Sequence, residues 1–131
     1  MGDSMGNFEF TILYVNDLAA SKAFYTAILG RAPRELSPTF VSYELESGLK
    51  LELCQRDSRI FPEALRPTAT VLGGGTELCQ EVADQPALDR LCAAWKAAGA
   101  RIVQEPTPSV FGLTFVAVDP DGHRLRAVVP A

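Results

Sequence analysis

Few side chains in this chain can do chemistry unaided. There is one imidazole, His123, and there are three thiols, Cys54, Cys79 and Cys92. The thiols are widely spaced and form no CxxC, so each reads as a reduced, buried core cysteine of a cytoplasmic chain. Cys79 would need a neighbouring cation to become a nucleophile, and only Arg126 could serve. Ser21 lies in a helical pattern with no histidine to activate it. Gly73-Gly74-Gly75 is not followed by the Lys-Ser/Thr of a phosphate loop and reads as a flexible linker. No local motif supplies a reaction, so the elements that bring distant residues together decide what the chain does.

Those elements must fit into 131 residues, the size of one compact domain. Hydrophobic residues at 47% and charged residues at 21% exclude general disorder. Acidic residues outnumber basic ones 16 to 12, giving a net charge of −4. That balance excludes nucleic acid and anionic membranes as partners. No run of about 18 apolar residues exists to span a bilayer. Met1-Gly2-Asp3-Ser4-Met5-Gly6 has neither the basic nor the apolar region of a signal peptide, and Met5 is a second candidate start.

An internal repeat organises the chain. Thr39-Phe40-Val41-Ser42-Tyr43 and Thr114-Phe115-Val116-Ala117-Val118 are β-rich runs. Each leads through a polar, Gly-bearing turn into an alternating run, at Leu49–Cys54 and His123–Val128. Upstream, the strand-like runs Phe8–Val15 and Glu77–Val82 precede Asp17 and Asp84, which sit as N-caps before helical patterns. The helices are expected to stop at Gly30 and Gly99. The order strand, helix, strand, strand, strand thus occurs twice, at about 7–58 and about 75–129, with a linker at about 59–74. Neither half is long enough to bury a stable core alone.

The run Leu13-Tyr14-Val15-Asn16-Asp17-Leu18, continuing through Ser21 to Phe24-Tyr25, then Leu29-Gly30 and later Asp119-Pro120-Asp121-Gly122-His123, resembles the vicinal oxygen chelate superfamily. This is also called the glyoxalase/bleomycin-resistance/dioxygenase fold, and the resemblance covers nearly the whole chain. It implies an α+β fold of two paired βαβββ modules forming a curved mixed sheet around a concave pocket. It also implies twofold dimers, with pairing within or between chains left open.

The resemblance further implies a divalent metal held by His, Glu or Gln at four positions. Here these are Phe10, Glu52, Glu77 and Arg126. Phe offers no donor atom and Arg repels a dication, so neither a metal nor another cofactor is expected. Arg126 is expected instead to stand as a cation between the carboxylates of Glu52 and Glu77. His123 lies an odd number of residues from Arg126, hence on the opposite face, and reads as a turn or packing residue. Gln80 falls on the helix-facing side of its strand. Either that strand is a frayed edge, or the register is one residue off and Glu77 moves with it.

Alternation puts Phe8, Phe10, Ile12 and Tyr14 on the concave face. Phe40, Phe111 and Phe115 lie on or near the strands that would flank it, each with core packing as the plain alternative. Pro106-Thr107-Pro108-Ser109-Val110 reads as a loop leaning over the pocket mouth, while Trp95 continues an apolar helical stripe and reads as core. Phe10, Tyr14, Phe40, Glu52, Glu77, Phe111 and Arg126 are therefore the candidate ligand-binding residues, with no catalytic residue among them. The expected function is a metal-free homodimer that sequesters an antibiotic or other planar aromatic compound, phenazine-like ligands being one class. The alternatives are an isomerase, lyase or dioxygenase with a displaced metal, and a regulatory module whose pocket its own side chains fill.

Overall fold

The computed structural model describes residues 5–131; Met1–Ser4, part of the N-terminal stretch considered above, lie outside the described residues. The elements run β1 (Phe10–Val15), α1 (Leu18–Leu29), β2 (Arg34–Ser37), β3 (Phe40–Glu44) and β4 (Lys50–Gln55). A short 3₁₀ turn at Glu63–Leu65 interrupts the connection to the second set. That set is β5 (Glu77–Glu81), α2 (Gln85–Ala97), β6 (Arg101–Ser109), β7 (Gly112–Val118) and β8 (Arg124–Pro130). The βαβββ order occurs twice, in an α+β architecture. The strands form two four-stranded sheets, β1-β4-β3-β2 and β5-β8-β7-β6, rather than one continuous sheet. In each, the first strand runs parallel to the last, and the other neighbours are antiparallel.

Local chemistry explains the element ends. The Asp17 and Asp84 carboxylates accept from the backbone N–H of Ala20 and Ala87, each satisfying one orphan donor of a helix N-terminus. Gly30 closes α1 in the left-handed region at φ +66°. The second helix stops earlier than its glycine: Ala98 caps α2, and Gly99 lies one residue beyond.

The Pro106–Ser109 stretch is not a loop. It continues β6 as an edge strand, where missing proline N–H groups are tolerated, and shifts of register between Ile102 and Thr107 absorb the irregularity.

Alternation sends one side of each sheet toward the helices. Leu13, Val15, Leu51 and Leu53 from the first sheet join Phe115, Ala117, Leu125 and Ala127 from the second in a single apolar cluster with Phe24, Tyr25, Leu88 and Trp95. Trp95 is core, with its ring edge-on to Phe115 at 5.2 Å. Phe115 is fully buried on this helix-facing side, away from the candidate site. Cys54 and Cys92 are buried, but Cys79 is exposed, because β5 lies at a sheet edge.

A buried polar net pins the halves together. The Asp121 carboxylate accepts from the Asn16 backbone N–H (3.0 Å), from its side-chain amide (2.7 Å) and from the Ser21 hydroxyl (3.3 Å). The Tyr25 hydroxyl donates to Asp119 at 2.6 Å. The other Asp119 oxygen accepts from the backbone N–H groups of Asp121 and His123. His123, in the turn before β8, extends this net, its Nε2 lying 2.9 Å from the Tyr14 carbonyl. Within the glycine stretch Gly73 is closely packed, while Gly74 and Gly75 are exposed with open space around them. A Cβ on Gly73 would lie 2.1 Å from the Gly122 carbonyl carbon and oxygen.

Candidate functional site

The sheet faces turned away from the helices carry the candidate residues, and the structure divides them into two groups. On the second sheet, Glu77 on β5 lies opposite Arg124 on β8, and Cys79 opposite Arg126. Gln80 pairs with Ala127 and is exposed at the strand edge, so the register needs no shift and Glu77 keeps its place. Arg126 Nε donates to Glu77 Oε1 at 2.8 Å and Nη2 to Oε2 at 3.2 Å, a bidentate clamp. Nη1 reaches the hydroxyl of the buried Thr114 at 3.2 Å. Phe111, at the tip between β6 and β7, lies with its ring centroid 5.2 Å from the guanidinium carbon. Arg124 Nη1 adds a looser pair with Glu77 at 3.8 Å.

This geometry sets the local electrostatics. The Arg126 hydrogen bonds hold the Glu77 carboxyl below the usual range, against an opposing push from burial, with the charges of Arg126 and Arg124 adding to the effect. Burial, helped by the Glu77 charge, raises the Cys79 thiol despite Arg126 beside it, so this cysteine lacks the environment of a nucleophile.

The first sheet holds the other group. Glu52 sits between Ile12 on β1 and Ser42 on β3. It is only 8% exposed, and its side chain makes no hydrogen bond or ion pair among the described residues. It lines a cavity of about 600 Å³ whose wall also includes Arg34, Ser42 and Lys50. Tyr14 and Phe40 flank this group through Phe61, whose ring lies 6.2 Å and 6.1 Å from theirs. Phe40 is buried, and Phe10, at the start of β1, is 55% exposed.

The expected three-member cluster is therefore split within this chain. Of the two carboxylates only Glu77 holds Arg126, and Glu52 stands on a separate sheet. The sequence reading also missed three members. Arg124 is two residues from Arg126 on the same strand face, so alternation was a sufficient signal for it. Thr114 was likewise legible from alternation, whereas Phe61 lay in a stretch assigned to the linker.

The metal site that the fold resemblance implies does not fit these side chains. Both Glu77 oxygens are engaged by one guanidinium, Phe10 has no donor, and Glu52 belongs to the other sheet. Asp119, Asp121 and His123 also bring ligand-type atoms within 4.8 Å of one another. Their carboxylate oxygens, however, already accept hydrogen bonds, from the first half and from the turn's own backbone.

The family model described as Glyoxalase/Bleomycin resistance protein/Dioxygenase superfamily matches residues 7–127. The chain is 26% identical over 118 residues to the phenazine antibiotic resistance protein EhpR of Enterobacter agglomerans, covering 88% of this chain and 85% of that protein. Among solved structures it is similar to protein ATC0852 of Agrobacterium tumefaciens. That match has 42% identity, 97% and 99% coverage of the two chains, and a TM-score of 0.82. The fold is shared with TnmS3, an antibiotic-binding protein of Streptomyces sp. CB03234, at 18% identity, 99% and 100% coverage, and a TM-score of 0.70. Among the described residues, no helix is long and apolar enough to cross a membrane.

Proposed function

We propose that this chain, which belongs to the glyoxalase/bleomycin resistance protein/dioxygenase superfamily, is a homodimeric binding protein that sequesters a planar aromatic small molecule. The observation that carries the reading is the Arg126 site. A guanidinium clamped by Glu77 and faced by Phe111 offers stacking and hydrogen bonding at a position where the fold resemblance implies a metal ligand. The relationship to a protein named for phenazine resistance supports phenazine-type antibiotics as the first class to test. Such protection works by mass action: the ligand is held, and no bond changes. Three reduced thiols suit a cytoplasmic setting.

The surface supports the dimer. The chain exposes 8168 Å², against about 6,700 Å² for a compact monomer of its mass. The excess, roughly 1,400 Å² on one chain, falls in the range that each partner of a large homodimer interface buries. Phe8 and Phe111 are exposed, at 96% and 48%, and β1 and β5 present unpaired sheet edges. A second copy would let the Glu52 group of one chain meet the Arg126 group of the other. The buried, unpaired Glu52 beside its cavity is the one observation that favours an enzyme, as a base acting on a bound ligand.

A thermal-shift experiment with phenazines, divalent metals and EDTA tests the reading, alongside light scattering for mass. A ligand at 100 times its Kd adds about 2.7 kcal/mol, several degrees of Tm. Stabilisation by a phenazine, no response to metals or EDTA, no product after incubation and twice the 14.1 kDa chain mass are expected. A Tm raised by Mn²⁺, Ni²⁺ or Zn²⁺ and dependent on Glu52 or Glu77 would overturn it in favour of the enzyme.

A further inference from the structure

On the face of the second sheet turned away from the helices, two guanidinium groups share one carboxylate. Glu77 is the one carboxylate paired with the guanidinium groups of both Arg124 and Arg126. It uses both oxygens on Arg126 and meets Arg124 only at 3.8 Å. Glu81, farther along β5, forms no ion pair with either arginine. Arg124 is therefore left with no close carboxylate partner among the described residues.

The donors are unevenly used. A guanidinium has five N–H groups. Arg126 spends three of them, two on Glu77 and one on Thr114. The Arg124 side chain, 50% exposed, makes no hydrogen bond among the described residues and keeps all of its guanidinium donors. Arg124 and Arg126 are two residues apart on one strand, so their stems stand roughly 7 Å apart on the same face. The Phe111 ring against Arg126 marks where a flat molecule stacks. A substituent on that molecule then falls within reach of the free fork of Arg124. A carboxylate is the group whose shape and charge match that fork.

Resting on the binding reading above, we infer that the ligand is a planar aromatic acid, its ring system stacked at Phe111 and Arg126 and its carboxylate held by Arg124. The site discriminates by charge as well as by shape, and a neutral analogue of the same outline binds less well. Because Arg124 is half-exposed, salt screens the preference.

The test uses the intact protein and three probes: phenazine-1-carboxylate, its isosteric carboxamide and unsubstituted phenazine, titrated calorimetrically at pH 7. The carboxylate is expected to bind at least tenfold more tightly than the carboxamide at low salt, with the ratio shrinking in 0.5 M NaCl. In Arg124→Met that ratio falls to about one, whatever the absolute affinities. Arg124→Gln, which keeps a polar side chain, is the second variant should Arg124→Met fold poorly. If the carboxylate and carboxamide bind equally well, the charge inference fails and the aromatic-binding reading stands. A carboxylate preference that survives in both variants assigns the anion to another group and also overturns the inference. If none of the three probes binds, the phenazine reading falls and the inference with it.

Discussion

Replacing Tyr25 by Phe removes one oxygen and creates almost no cavity. The lost hydroxyl donates to Asp119 at 2.6 Å, where tyrosine and aspartate are 1% and 5% exposed. The two residues lie 94 positions apart and join α1 to the turn before β8. Burial, with the Asp119 charge adding to it, pushes the Tyr25 phenol far above its ordinary value, so it stays protonated and donates at any working pH. Its removal strands a buried carboxylate oxygen, which costs about 1.5–3 kcal/mol. At about 2.1 cal/mol/K per residue over 131 residues, that is about 5–11 °C of Tm.

Urea unfolding at one fixed protein concentration reads the effect. Trp95, the single tryptophan, reports α2 by fluorescence, and far-UV circular dichroism reports both halves. The two transitions are expected to coincide and to shift together in Tyr25→Phe, with an unchanged slope. Asp119→Asn and the double variant close a cycle with a coupling of about 1 kcal/mol or more. A loss below about 0.5 kcal/mol, or separate fluorescence and dichroism transitions in the parent protein, would refute the idea that this net holds the halves together.

Glu77→Gln is expected to cost about 1 kcal/mol at pH 7, because the Arg126 clamp is partly buried. The folded-state Glu77 value is lowered, so its contribution is complete above the ordinary glutamate value and disappears as pH falls through the folded one. Urea midpoints of parent and variant should therefore converge toward pH 3, and a gap that stays constant contradicts the assignment. Gly73→Ala drives a Cβ into the Gly122 carbonyl and should destabilise by about 1–3 kcal/mol, whereas a loose linker would show no change. Of the three thiols, Cys79 alone should react with an aromatic disulfide in the native protein, faster as pH rises, because burial and Glu77 raise its thiol. Equally fast labelling of Cys54 or Cys92 would contradict the packing described for them.

The sequence by itself determined the repeat, because strand alternation, Asp N-caps and glycine stops are local signals that need no partner. The order of elements follows from them, as does the helix-facing set that includes Leu13, Leu53, Leu125 and Trp95. The family resemblance, rather than alternation, brought Glu77 and Arg126 to one site, and the irregular Gln80 is an exposed edge residue in the same register. Tertiary structure alone decided what alternation cannot carry. It separated Glu52 from Arg126, because the hydrogen bonding of two sheets, and not the face a side chain points to, sets which strands are neighbours. It turned Pro106–Ser109 into an edge strand, since a proline's missing N–H costs nothing where no strand lies beyond it. It also turned Asn16, Ser21 and Tyr25 into the partners of Asp119 and Asp121, a pairing across about a hundred residues that no local pattern encodes, because only the folded chain brings those buried donors and acceptors within hydrogen-bond reach.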